Sequence, residues 1–97
     1  MARYRIVCWK DIPSLVEAFE GDDASRRPLS QRFQDLIDAV AMREGASETE
    51  AYLEGWVQGP DVERPGGAEA VAEAVASELE GAFENLVARH LRPPPLD

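Results

Sequence analysis

Proline and glycine punctuate this chain so often that, up to residue 67, only short elements fit between the breaks. Pro13, Gly21, Pro28, Gly45, Gly59-Pro60 and Pro65-Gly66-Gly67 are spread along the first two thirds. Proline removes a ladder donor and restricts the residue before it, and glycine supplies turns and helix stops. Only after Gly67 does an uninterrupted stretch rich in Ala, Glu and Leu begin, and that composition favours helix.

Between the breaks the patterns are legible. Arg3 to Trp9 reads as a strand, with Tyr4, Ile6 and Cys8 on one parity and Val7 and Trp9 on the other. Asp11-Ile12-Pro13 interrupts it, and Ser14 to Glu20 forms a second strand. Gly21-Asp22-Asp23 has turn chemistry, and Ala24 to Pro28 returns as a short edge strand with Arg26 and Arg27 facing water. Ser30 stands as an N-cap for a helix from Gln31 to Glu44 that Gly45 stops. Phe33, Leu36, Ile37 and Val40 share one face of that helix, with Ala41 at its rim.

Ser47-Glu48-Thr49-Glu50 is a capping box that opens a second, short helix with Tyr52, Leu53 and Trp56 as its apolar face. Residues 57–67 form a connector in which Asp61-Val62-Glu63 makes at most a brief strand. Ala68 to about Leu91 is one helix of roughly 36 Å, longer than a small sheet needs for cover. Pro93-Pro94-Pro95 then ends it in an extended tail. The expectation is a single α+β domain over residues 1–91. It has a small antiparallel sheet of about three strands, packed by two short helices and one long C-terminal helix.

Charge divides the chain more sharply than composition does. Residues 1–43 carry seven basic and seven acidic side chains, whereas residues 44–97 carry three arginines against twelve acids, so the net −9 belongs to the second half. An acidic chain repels phosphate backbones and anionic lipid, which argues against nucleic acid and membrane surfaces as partners. No apolar run reaches the length of a membrane span, the N-terminus is no secretory signal, and the single Cys8 fits a reducing cytoplasm.

The catalytic inventory is thin. Cys8 sits in an apolar strand as an inert thiol, and His90 lies in the last turn of the long helix, where positive charge suits the dipole. No phosphate loop, paired metal-ligand spacing or nucleophile elbow is present. The reading is therefore no enzyme, no cofactor and no metal. On the long helix, Val71, Val75, Leu79, Ala82, Phe83 and Leu86 span an arc of roughly 120°, opposite a stripe of Glu69, Glu73, Glu80 and Glu84. The acidic stripe is either a solvated back or a dock for a basic partner, and the apolar stripe could pair with a second copy in a homodimer. Met42 falls roughly 180° from Phe33, on a polar face, where cover by the second helix or the connector is the expectation. Trp9-Lys10-Asp11 reads either as a structural corner, with Asp11 in an Asx-turn, or as an interface anchor.

Four separated blocks carry a resemblance. They are Cys8-Trp9-Lys10-Asp11-Ile12-Pro13-Ser14, Leu29-Ser30-Gln31-Arg32-Phe33-Gln34, Ile37-Asp38 with Ala41-Met42-Arg43, and Glu50-Ala51-Tyr52-Leu53-Glu54-Gly55-Trp56. In this order they resemble the small bacterial "virulence factor" domain family over roughly residues 4–56. Cys8 stands where an aromatic is usual, Lys10 for Arg, Ser30 for Pro, Val40 for Ala and Glu50 for Asp. The resemblance implies an adaptor-like role rather than chemistry. The leading expectation is a non-catalytic protein-binding or accessory subunit, with Trp9, Asp11, Arg32, Asp38, Met42, Tyr52 and Trp56 forming or framing the shared surface. The alternative is a small-ligand or cofactor-handling accessory protein of one-carbon and corrinoid methyl-transfer metabolism. In that case Trp9, Tyr52 and Trp56 would stack a flat ring while Arg32 or Lys10 pairs with a carboxylate.

Overall fold

A computed structural model of the chain describes residues 1–45 and 49–91. The expected capping box from Ser47 and the proline-rich tail after Leu91 lie outside these residues. The elements run β1 (Ala2–Trp9), β2 (Ile12–Glu20), β3 (Asp23–Pro28), α1 (Gln31–Arg43), α2 (Thr49–Glu54), β4 (Trp56–Gln58), β5 (Val62–Arg64), α3 (Ala68–Gly81) and α4 (Phe83–Leu91). No helix among the described residues is long and apolar enough to cross a membrane.

The fold is α+β, with an antiparallel sheet of five strands rather than about three. The order is β3-β2-β1-β4, and β5 joins the same outer edge of β1 as β4. The two additional strands come from Trp56 and the connector, and each is three residues long. Segments that short carry no period of their own; pairing with β1 is what makes them strands. Pro13 does not keep β2 from beginning at Ile12, because the register slips between Val7 and Cys8 and the proline sits beside that irregularity. Lys10 and Asp11 form the tight turn, and Lys10 takes a φ of 55°.

Strand alternation gives the sheet two unlike faces. Ala2, Val16 and Ala18 are buried on one, with Tyr4 and Ile6 packed around them, and α3 covers this face through Ala68, Val71, Ala72, Val75 and Ala76. Two ion pairs clasp α3 across the sheet. Glu73 lies 3.7 Å from Arg27 on β3, and Glu78 lies 2.6 Å from Arg64 on β5. Arg27 therefore turns toward α3, and of the expected water-facing pair only Arg26 points out. The register places Arg3, Arg5, Val7, Leu15, Glu17, Phe19, Ala24 and Arg26 on the other face, none of them fully buried. Arg5 and Arg26 both reach Glu17 there, at 3.0 and 3.3 Å.

A second cluster closes the far end of the β1–β2 hairpin. Trp9 and Ile12 are fully buried against Leu36, Ile37, Val40 and Ala41 of α1, with Tyr52, Trp56, Phe83, Leu86 and Val87 packed around them. The Trp9 indole N–H donates to the Tyr52 carbonyl at 2.7 Å, and the Lys10 amide donates to the Gly55 carbonyl at 2.6 Å. Gly55 lies directly on the indole: a Cβ there would fall 2.4 Å from Trp9 Nε1. The chain must cross the ring at that point to bring Trp56 opposite Trp9 in the ladder.

The long C-terminal helix is present and divides at Ala82. Gly81 weakens the helix there, and the Glu80 carbonyl accepts from Arg32 Nη2 at 2.7 Å. The turn lets α4 pack on α1, with Phe83 edge-on to Phe33 at 4.9 Å. This answers the excess length: α3 covers the sheet and α4 covers α1. The Ser30 hydroxyl makes no cap bond to its own helix. It donates to Glu80 at 2.8 Å, as does the Ser30 amide at 2.7 Å. Partial burial pushes the Glu80 carboxyl up, but the Ser30 and Arg32 hydrogen bonds outweigh this and hold it below the usual carboxylate range.

Two measurements test this packing. Gly55→Ala should cost about 3 kcal/mol or more in urea unfolding, since its methyl must displace a buried ring. Gly81→Ala, with nothing within 4 Å of its Cβ, should instead stabilise the protein by about 0.5–1 kcal/mol; equal effects at the two glycines would contradict the close approach at Trp9. A depressed folded pKa means that Glu80 stabilises fully above its unfolded value, and that this stabilisation is lost as pH falls through the folded one. Between about pH 6 and about pH 3, Glu80→Gln should therefore lose less stability than the parent chain.

Candidate functional site

The residues expected to share one surface fall into two groups. Trp9 is fully buried, so it is a core anchor and not an exposed contact. Its N–H is taken by the Tyr52 carbonyl, and its burial keeps its ring faces out of reach of a flat ligand. Arg32 bonds the carboxylate and carbonyl of Glu80, with its guanidinium over the Phe83 ring at 4.5 Å, and so holds α1 to the helix break. Asp11 makes a tie of the same kind. Its carboxylate accepts from Arg89 Nη1 at 3.4 Å and lies 3.0 Å from His90 Nε2, a nitrogen that makes no hydrogen bond among the described residues. These contacts link α4 to the hairpin turn, where Phe83, Leu86 and Val87 pack it onto the cluster.

Asp38, Met42 and Tyr52 do come together. With Ala41 they line an open groove of about 390 Å³ between α1 and α2. Tyr52 stacks on Trp9 at 5.8 Å and meets Trp56 edge-on at 5.9 Å, so the half-buried Trp56 stands behind it as support. Gln34 completes the polar side: its Nε2 donates to the Tyr52 hydroxyl at 2.9 Å and to Asp38 Oδ1 at 2.9 Å. Gln34 was not among the expected residues. The signal for it was its i,i+4 spacing to Asp38, a pairing that holds two side chains on one helix face.

Met42 is 72% exposed, where cover by a neighbouring element was expected. The helix α2 is only six residues long, and it seats its one inward aromatic, Tyr52, beside Met42 rather than over it. Leu53 is 61% exposed, so it does not join the apolar face expected of α2. Val57 is exposed as well. It lines a second groove on the other flank of α2, with Lys10, Ala51, Glu54 and Gly55. Exposed acids surround this region at Asp35, Asp38, Glu50 and Glu54. Glu44 is held by the ammonium of Lys10.

The acidic stripe is partly occupied from within. Glu69 and Glu84 are exposed, Glu73 faces Arg27, and Glu80 is bound by Ser30 and Arg32. The opposite apolar stripe packs inside the protein, Val71 and Val75 against the sheet and Phe83 and Leu86 against the hairpin cluster. Burial, then the charge of Asp11, push the Cys8 thiol up, so its reactive thiolate is suppressed.

No curated protein and no solved structure matches the chain. The family model described as "Virulence factor" matches residues 7–90. That span runs past the four sequence blocks and takes in β5, α3 and all but the last residue of α4, in keeping with the share of the core that these helices supply. With most of its length inside that match, the chain belongs to the virulence factor family.

Proposed function

We propose that this chain is a non-catalytic, protein-binding accessory domain that works in the bacterial cytoplasm, and that the α1–α2 groove is where it holds its partner. The observation that carries this reading is Met42. It lies in the Ile37-Asp38 to Ala41-Met42-Arg43 stretch through which the chain resembles its family, yet no packing requirement explains it, since 72% of it faces solvent. Three of the other residues of these blocks that were named as contacts have internal work: Trp9 fills the core, Arg32 braces the helix break and Asp11 meets α4.

The groove has the makeup of a contact site. A flexible thioether adapts to an apolar partner side chain, and the hydroxyl of Tyr52 and the carboxylate of Asp38 are held in place by Gln34. The rim acids favour a partner segment that brings basic residues around an apolar anchor.

Affinity capture from the native host, run side by side with parent chain and Met42→Lys, tests the groove. The parent should retain a protein that Met42→Lys binds at least about tenfold more weakly, with urea unfolding unchanged between the two. Equal retention by both chains would remove the groove from the interface.

A further inference from the structure

Among the described residues, nothing pairs with the outer edge of β3. Its one neighbour in the sheet is β2. The pair Glu20/Asp23 closes a two-residue loop at Gly21-Asp22, and Gly21 takes a φ of 58°. From that closing pair the ladder bonds alternate, so Asp23, Ser25 and Arg27 bond to β2 while the amides and carbonyls of Ala24 and Arg26 point away from it. The Leu29 amide donates to the Ser14 carbonyl at 3.0 Å, in phase with this alternation. The opposite edge of the sheet offers no such template, since β4 and β5 are three residues each and are separated by Gly59-Pro60-Asp61.

Edges of this kind are usually blunted by charged side chains, bulges or proline, and Pro28 closes the free edge of β3. Before it, β3 carries Asp23 at its start and Arg26 and Arg27 near its close, so its two ends differ in sign. A second copy laid antiparallel, with its two-fold axis at Ser25, sets Ala24 against Arg26 of the other copy, so that the outward backbone groups of both meet. The same register sets Asp23 opposite Arg27, twice, on one face of the sheet, where directly opposed side chains stand about 5 Å apart. Both groups have capacity to spare. Asp23 takes part in none of the ion pairs among the described residues. Arg27 reaches Glu73 only at 3.7 Å, and 42% of its side chain faces solvent.

We propose that two copies of this chain pair antiparallel through β3, joining their five-stranded sheets into one continuous sheet. The interface uses the backbone of Ala24 and Arg26 and two reciprocal Asp23–Arg27 pairs. It uses none of the residues that line the α1–α2 groove.

Sedimentation equilibrium of the full chain from about 10 μM to about 1 mM reads the assembly by mass action. The parent chain should reach twice the chain mass, and the amides of Ala24 and Arg26 should exchange more slowly with solvent as concentration rises. Asp23→Lys and Arg27→Glu each oppose like charges and should weaken self-association at least about tenfold when alone. Mixed, they oppose Lys to Glu and Arg to Asp and should form a one-to-one heterodimer. A single-chain mass at the highest concentration would overturn the proposal. A dimer that Asp23→Lys leaves intact, with both amides exchanging freely, would also overturn it.

Discussion

The buried indole of Trp9 is the constraint on which the rest of the architecture turns. It stands at the end of β1, and three later parts of the chain are placed by it. The Tyr52 carbonyl takes its N–H, Gly55 crosses its face, and Trp56 pairs with it across the ladder. A fully buried indole needs an acceptor, and the end of α2 supplies one from its backbone. This fixes where α2 can sit, and so fixes the start of β4 along β1. The α1–α2 groove follows from it, because a helix tied to Trp9 through Tyr52 cannot also spread over Met42.

The second organising fact is how the chain uses its acids. Read as a sum, the second half is strongly negative, yet three glutamates of α3 meet arginines of the other elements. Glu73 meets β3, Glu78 meets β5 and Glu80 meets α1. Exposed pairs of this sort each stabilise by only about 0–1 kcal/mol, so they do not explain why α3 adheres; its buried Ala and Val face does that. What the pairs add is direction, since ion pairs at both edges of the sheet oppose rotation of the helix about its axis. The Glu80 cluster goes further. One carboxylate and its own carbonyl receive the start of α1 and the guanidinium of Arg32 at the point where the long helix turns.

Much of this was legible in the sequence, and the rest fails for identifiable reasons. The first hairpin, the return strand and α1 follow from local signals: alternating residues, turn chemistry at Gly21-Asp22-Asp23, and a glycine stop at Gly45 with φ of 71°. β4 was not legible, because Trp56-Val57-Gln58 becomes a strand only by pairing with the far end of the chain. The break at Ala82 is likewise tertiary. A continuous Ala/Glu pattern reads as one straight helix until Arg32, 48 residues away, takes the Glu80 carbonyl. At the site, sequence brought Asp38, Met42 and Tyr52 to one surface but ranked Trp9 with them. Large aromatics serve cores and interfaces equally well, and the burial of Trp9 beneath α1 and Gly55 separates the two uses here.

That separation changes what the family blocks mean for function. A Trp-Lys-Asp-Ile-Pro start and a Tyr-Leu-Glu-Gly-Trp end look, as text, like two aromatic recognition motifs. In the folded chain they are two halves of one joint, each completing the burial of the other. Most of their specificity is therefore demanded by packing, and it would be needed whatever the domain binds. The residues that packing does not require carry more information about use. Met42 is the one large apolar side chain exposed on α1, and Gln34 matters because it spends its amide on positioning Tyr52 and Asp38 rather than on filling space. A helix face that holds a phenol and a carboxylate in fixed positions beside an uncovered thioether has been given order that folding alone does not need. On that ground the proposed contact surface rests on α1 and α2, and not on the aromatic joint beneath them.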